Sequence, residues 1–119
     1  MGLLSRVLGT RPAAAAVDET IADAVRVVPG VTGLSLSYNH QPHASSAVSG
    51  EVEVADSTVF IEVLRTLRLV LGGILGGDAD RVVYYCTGRL PDGTAVTPAE
   101  LGLSQRPTGR EVAQRLLDR

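Results

Sequence analysis

The sequence predicts an α+β domain in which helices pack on one face of a small mixed or antiparallel sheet of about three to four strands. Its 119 residues suit a single domain with one continuous core. Aliphatic residues recur with the period of a helix in several segments, and other segments alternate apolar and polar residues as a strand does. The order is α-β-β-α-β-(β)-α, which leaves the second face of the sheet polar and open.

The first helix is predicted over residues 13–28. Pro12 suits a first helical position, and Pro29 with Gly30 ends the pattern. One stripe of this helix is aliphatic: Val17, Ile21, Ala24, Val25 and Val28.

Two strands are predicted next, and they read as an antiparallel pair with one wet, somewhat acidic face. In the first, Leu34, Leu36 and Tyr38 alternate with Ser35, Ser37 and Asn39. In the second, over residues 47–55, Val48, Val52 and Val54 alternate with Ser49, Glu51 and Glu53. Residues 40–46 are predicted to form a loop.

A long helix is predicted over residues 58–75, capped by Asp56 or Ser57. A third strand over 81–88 is apolar on both faces, which is typical of a central strand, and residues 94–96 suit a short fourth one. Capping boxes are predicted at Thr97 with Glu100 and at Thr108 with Glu111, the second opening the last helix.

The sequence divides into a short amphipathic N-terminal segment (residues 1–11), one α+β domain (12–104) and a C-terminal helix that docks on it (105–119). The N-terminal segment carries four aliphatic residues on one side: Leu3, Leu4, Val7 and Leu8. Because helices this short are marginal in water, we expect it to dock on its own domain, a second copy, a partner or a membrane surface.

Composition limits the classes of function. A net charge of −2 and a pI near 5.6 give no overall attraction to nucleic acid or anionic lipid. All 11 basic residues are arginine, which is typical of a GC-rich bacterial genome and excludes chemistry on a lysine amine. No apolar run approaches the roughly 18 residues of a membrane span, and a clear export signal is missing, so we expect a cytoplasmic protein.

Catalytic, metal and cofactor sites are not predicted. His40 and His43 form a His-x-x-His spacing that Cys86 would have to complete as a metal ligand, but Pro42 between them favours a solvated loop. Cys86 lies in an apolar strand, which favours a buried, inert thiol over a nucleophile. The glycine-rich run 72–77 ends a helix instead of beginning one, which disfavours a phosphate loop.

Glu51 and Glu53 point the same way from their strand. Paired carboxylates perform acid–base chemistry when one of them is desolvated, whereas this face is predicted to be wet. We therefore expect a solvated edge that could receive an arginine-bearing partner. The tyrosines at 84 and 85 are neighbours on a strand, so at least one of them faces the helices, which favours core or interface tyrosines over a nucleic-acid platform.

Two stretches of the sequence suggest a family. One is Val27-Val28-Pro29-Gly30-Val31, and the other is Ala47-Val48-Ser49-Gly50-Glu51-Val52, which leads into a helix. Together with the strand between them, they resemble the BON-type domain of bacterial envelope proteins over about half of the chain. The resemblance implies an αββαβ order and a non-enzymatic role in binding phospholipid or partner proteins.

The predicted function is a non-catalytic protein-interaction or scaffold module that binds a protein partner or itself, a homodimer being favoured, with the N-terminal aliphatic residues or Glu51 and Glu53 in the interface. Two alternatives stay open. One is a small ligand-binding or enzymatic domain with a pocket near the loop 40–46. The other is a peripheral membrane factor held by the N-terminal segment, which requires its four aliphatic residues to be exposed together.

Overall fold

The structure, a computed structural model, describes residues 13–39 and 46–117. The regular elements in these ranges follow the predicted α+β order. The longer ones are α1 (Ala14–Arg26), β1 (Val31–Asn39), β2 (Ala47–Val54), α2 (Ser57–Leu75), β3 (Val83–Arg89) and β4 (Ala95–Val96). Two 3₁₀ helices span Gly76–Arg81 and Pro98–Leu101, and the short helix α3 (Gly109–Val112) continues as a π-helical turn, Ala113–Leu117.

The four strands form one mixed sheet in the order β1-β2-β3-β4. β1 pairs antiparallel with β2, and β3 pairs antiparallel with β4. β2 and β3 are parallel, because α2 carries the chain back across the sheet between them. The predicted choice between a mixed and an antiparallel sheet is thereby decided in favour of the mixed one.

The predicted alternation of the strands is confirmed. Val48, Val52 and Val54 of β2 are buried beneath the helices, whereas Glu51 and Glu53 are exposed on the opposite face. β3 continues the pattern, with Tyr84 buried and Tyr85 exposed. The helices therefore cover one face of the sheet, and we call the other one, with Ser35, Ser37, Ser49, Glu51, Tyr85 and Thr87, the open face.

The core is mainly aliphatic, with two fully buried aromatic rings. The largest side chains with almost no exposed surface are Tyr84, Phe60, Ile21, Leu64, Leu67 and Leu71. α2 begins at the predicted cap, since the Asp56 carboxylate accepts from the Val59 amide at 3.1 Å. α1 ends at Arg26, two residues earlier than predicted, and leaves Val27 77% exposed.

The chain after β4 returns to the sheet. The Tyr84 amide donates to the Pro107 carbonyl at 2.9 Å, and the Gly109 amide donates to the Val82 carbonyl at 2.8 Å. This segment thus covers the first half of β3, along the same edge that the two-residue β4 covers only at the other end.

The first predicted capping box is complete: the Thr97 side chain accepts from the Glu100 amide, and the Glu100 carboxylate accepts from the Thr97 amide. The second is only half formed, which corrects the prediction. The Thr108 hydroxyl accepts from the Glu111 amide at 3.3 Å, but the Glu111 carboxylate instead accepts from the Ser104 amide at 2.7 Å. The bend of the chain at residues 104–107 brings this competing donor within reach.

Candidate functional site

The open face is polar, and the Glu51 carboxylate on it is paired within the chain. The Glu51 carboxylate accepts from the Arg89 guanidinium at 2.5 Å, and the same guanidinium donates to the Gly93 carbonyl at 2.9 Å. The prediction placed Glu51 and Glu53 on a solvated face with an arginine-bearing partner. The arginine that Glu51 contacts belongs to this chain.

The aromatic ring of the open face is also occupied by the chain itself. Tyr85 is 45% exposed, and the Arg106 guanidinium lies 5.1 Å from the centre of its ring. A cation over an aromatic face at this distance is attracted by the ring quadrupole. Tyr85 therefore stabilises the return of the chain after β4, and it does not offer a bare stacking surface.

β1 lies at the edge of the sheet, and its outer side faces away from β2. Among residues 13–39 and 46–117, no strand pairs with this side. The Tyr38 amide donates to the Asp18 carboxylate of α1. Because backbone groups alternate in direction along a strand, the amides and carbonyls of Leu34 and Leu36 point the same way as the Tyr38 amide, away from β2.

The sequence of β1 lacks two of the usual protections of an edge strand. Its nine residues contain no charged side chain and no proline. Its pairing with β2 is regular from Gly33 to Asn39, and the only shift of register lies between Val31 and Gly33. Natural sheets blunt exposed edges with charges, prolines, bulges or very short strands, because an unblunted edge is a template for another strand.

The opposite edge of the sheet is protected. β4 has two residues and pairs with the end of β3, and the segment with Pro107 and Gly109 covers the start of β3. The two edges therefore differ in what they offer to another chain. We take the outer edge of β1, with the serines of the open face beside it, as the candidate functional site.

Of the predicted site residues, Glu51, Glu53 and Cys86 lie within the described structure. Leu3, Leu4, Val7 and Leu8 lie outside the described residues, as do His40 and His43. Among the residues that are described, no three histidine, cysteine or acidic side chains are grouped as metal ligands would be. The alternatives of a metal site and of a pocket near the loop 40–46 stay predictions.

Cys86 lies on the side of β3 that faces the core. It is 3% exposed, and its thiol contacts the Val48 carbonyl at 3.7 Å. Burial raises the pKa of the Cys86 thiol to about 12, because the apolar surroundings disfavour the thiolate. Burial also raises the pKa of the neighbouring Tyr84, whose hydroxyl has no hydrogen-bond partner among the described residues.

We expect Cys86 to be unreactive in the folded chain. At pH 8 a pKa of about 12, against the ordinary value of 9.0, leaves about a thousandfold less thiolate, the form that attacks a disulfide reagent. The rate of reaction with an aromatic disulfide, followed by absorbance, is expected to be at least about a hundredfold lower in buffer than in 8 M urea. Equal rates in the two solutions would contradict the buried, protonated thiol.

The β1 edge is not among the site residues predicted from the sequence. The sequence does contain an indication of it, because residues 31–39 alternate apolar and polar side chains and include no charged residue and no proline. What the sequence does not show is which of the predicted strands lies at an edge. That depends on the parallel pairing of β2 with β3, which joins residues more than 30 positions apart.

No family model matches the chain, and the comparisons with curated proteins and with solved structures likewise give no match. The resemblance to BON-type domains therefore stays a prediction. Within residues 13–39 and 46–117, no helix has the length and apolar character needed to cross a membrane.

Proposed function

We propose that the chain is a non-catalytic protein-interaction module that forms a homodimer through the outer edge of β1. Two copies would pair their β1 strands antiparallel across a two-fold axis, so that the two sheets join into one. The observation that carries the proposal is the regular, uncharged, proline-free edge of β1.

A second copy fits this edge because the strand is complementary to itself. In antiparallel pairing across a two-fold axis, residues of the open face meet residues of the open face, and residues of the core face meet residues of the core face. Ser35 and Ser37 would therefore lie beside serines or glycine of the second copy, and Leu34 and Leu36 beside leucines. No like charges are brought together on either face.

Two acidic side chains near the edge have partners within the chain. Glu51 lies opposite Ser35 on β2 and is paired with Arg89. Asp18, at the far end of the edge, accepts from the Tyr38 amide. The pairing would therefore use mainly the outward amides and carbonyls of Leu34 and Leu36, which have no backbone partner among residues 13–39 and 46–117.

The mass in solution tests the proposal. Light scattering on a sizing column should give about twice the 12.4 kDa chain mass at high concentration. The double variant Ser35→Lys with Ser37→Lys is expected to elute as a monomer, because four ammonium groups would face each other across the two edges. Within one copy, the lysine at 35 lies opposite Glu51, which favours the fold.

The matched control is Ser49→Lys with Thr87→Lys. It adds the same charge to the same face, but on the inner strands β2 and β3. We expect this variant to stay a dimer, and circular dichroism should show both variants folded. A wild-type chain that is monomeric at every concentration would refute the homodimer, and loss of the dimer in both variants would move its interface away from the β1 edge.

A further inference from the structure

A groove runs along the outer surface of the helix layer, between the end of α1 and the start of α2. Its volume is about 580 Å³, and Val28, Pro29 and Val59 form an apolar floor. Thr66 lies further along the same side of α2. The groove is separate from the β1 edge, and the inference drawn from it does not depend on the proposed dimer.

Two exposed aliphatic side chains are close in sequence to residues of the groove. Val27, next to Val28, is 77% exposed, and Leu69, three residues after Thr66, is 63% exposed. α1 leads into the start of β1, and α2 follows the end of β2. Because Val31 at the start of β1 pairs with Val54 at the end of β2, the end of α1 lies near the start of α2 and the two helices run antiparallel. The groove therefore lies where the end of α1 meets the first turns of α2, and its apolar floor is of the kind that another segment covers.

The rim of the groove is acidic. Asp56 and Glu62 line it, and no basic residue does. Asp56 is partly neutralised as the cap of α2, since it accepts from the Val59 amide. Glu62 is 54% exposed, and its carboxylate lies 3.6 Å from the Arg65 guanidinium. The chemistry that suits this surface is an aliphatic stripe accompanied by basic side chains.

We infer that the segment 2–9 of the same chain docks in this groove as a third helix of the layer. In sequence it carries the four aliphatic residues that would cover the apolar floor, Leu3, Leu4, Val7 and Leu8. The charged side chains of the first 12 residues are Arg6 and Arg11, both opposite in sign to the rim. These residues lie outside the described structure, so the inference rests on this complementarity and on the reach of the chain.

The chain is long enough for this contact. α1 has 13 residues, which gives it a length of about 20 Å at 1.5 Å per residue. The five peptide units from Leu8 to Ala13 span up to about 17 Å, and a helix over residues 3–8 adds about 9 Å. The segment is therefore long enough to reach the groove at the far end of α1.

Cross-linking in the full chain tests the inference. In a Cys86→Ala background, Val7→Cys is combined with Thr66→Cys in the groove, or with Ser49→Cys on the open face as the control. A short bis-maleimide is expected to link the first pair at least about tenfold faster, because docking raises the effective concentration of the two thiols. Intact mass, on a mixture of ordinary and nitrogen-15 labelled chains, shows whether a link lies within one chain.

A second measurement does not depend on introduced cysteines. In amide NMR spectra, Leu4→Ser with Leu8→Ser should shift the signals of Val59, Glu62 and Thr66, whereas Ser5→Ala should leave them unchanged. The inference is overturned if the two cross-linking rates are equal, if the links join labelled to unlabelled chains, or if the amide shifts lie outside the groove. It is also overturned if the wild-type segment binds phosphatidylglycerol vesicles while the groove signals stay as in the double variant.

Discussion

Replacing Gly50 with alanine is expected to lower the free energy of unfolding by more than about 3 kcal/mol, a large part of the about 5–15 kcal/mol that stabilises a typical domain. Gly50 lies in the middle of β2 with φ +133°, a conformation that residues with a side chain rarely adopt. A Cβ atom added there would lie 1.8 Å from the Ser35 carbonyl oxygen of β1. That oxygen belongs to the backbone of the neighbouring strand, so it cannot move without opening the sheet.

The matched control for Gly50 is Gly73→Ala. Gly73 lies on the exposed side of α2, and a Cβ atom there would meet nothing within 4 Å. Alanine is the better helix former, so this variant is expected to raise the free energy of unfolding by about 0.5–1 kcal/mol. Urea titrations followed by circular dichroism compare the two. A Gly50→Ala chain with the wild-type midpoint would contradict the close approach of β1 and β2.

Replacing Arg68 with methionine is expected to cost about 2–3 kcal/mol of unfolding free energy. Its guanidinium donates to the Asp80 carboxylate at 2.7 Å and to the Gly109 carbonyl at 3.0 Å. One side chain of α2, only 17% exposed, thus holds both the following 3₁₀ helix and the start of α3. Methionine fills similar space but leaves the carboxylate and the carbonyl without this donor.

Arg26→Met is the control for Arg68→Met. Arg26 pairs with Asp23 at 2.9 Å, but both side chains are more than 60% exposed, and surface pairs contribute little. We expect a change within about 0.5 kcal/mol for this variant. Arg68→Lys should recover only part of the loss, because a lysine amine does not reproduce the forked donors of arginine. Equal midpoints for the two methionine variants would show that Arg68 does not hold the C-terminal elements.

Local periodicity determined much of the fold. The alternation of Leu34, Leu36 and Tyr38, and of Val48, Val52 and Val54, was sufficient to predict two strands and the side of each that is buried. The same holds for the aliphatic stripe of α2 and for its cap at Asp56. These features depend on residues within a few positions of one another, which is the range over which a sequence pattern carries information.

The candidate site was decided at longer range. Which strand lies at the edge follows from the pairing of β2 with β3, and the obligatory glycine at 50 follows from the approach of Ser35 in another strand. The Arg68 guanidinium donates to a carbonyl 41 positions away. The Glu111 carboxylate, which was predicted to complete a capping box with Thr108, accepts from the Ser104 amide instead.

The sequence by itself therefore determined the elements, their faces and the absence of charge along β1. Only the tertiary structure decided that β1 is an open edge, that the arginine beside Glu51 is Arg89, and that α1 and α2 leave an acidic-rimmed groove between them. The physical reason is that pairing and packing join residues far apart in the chain, and a local pattern does not specify which of the matching surfaces meet.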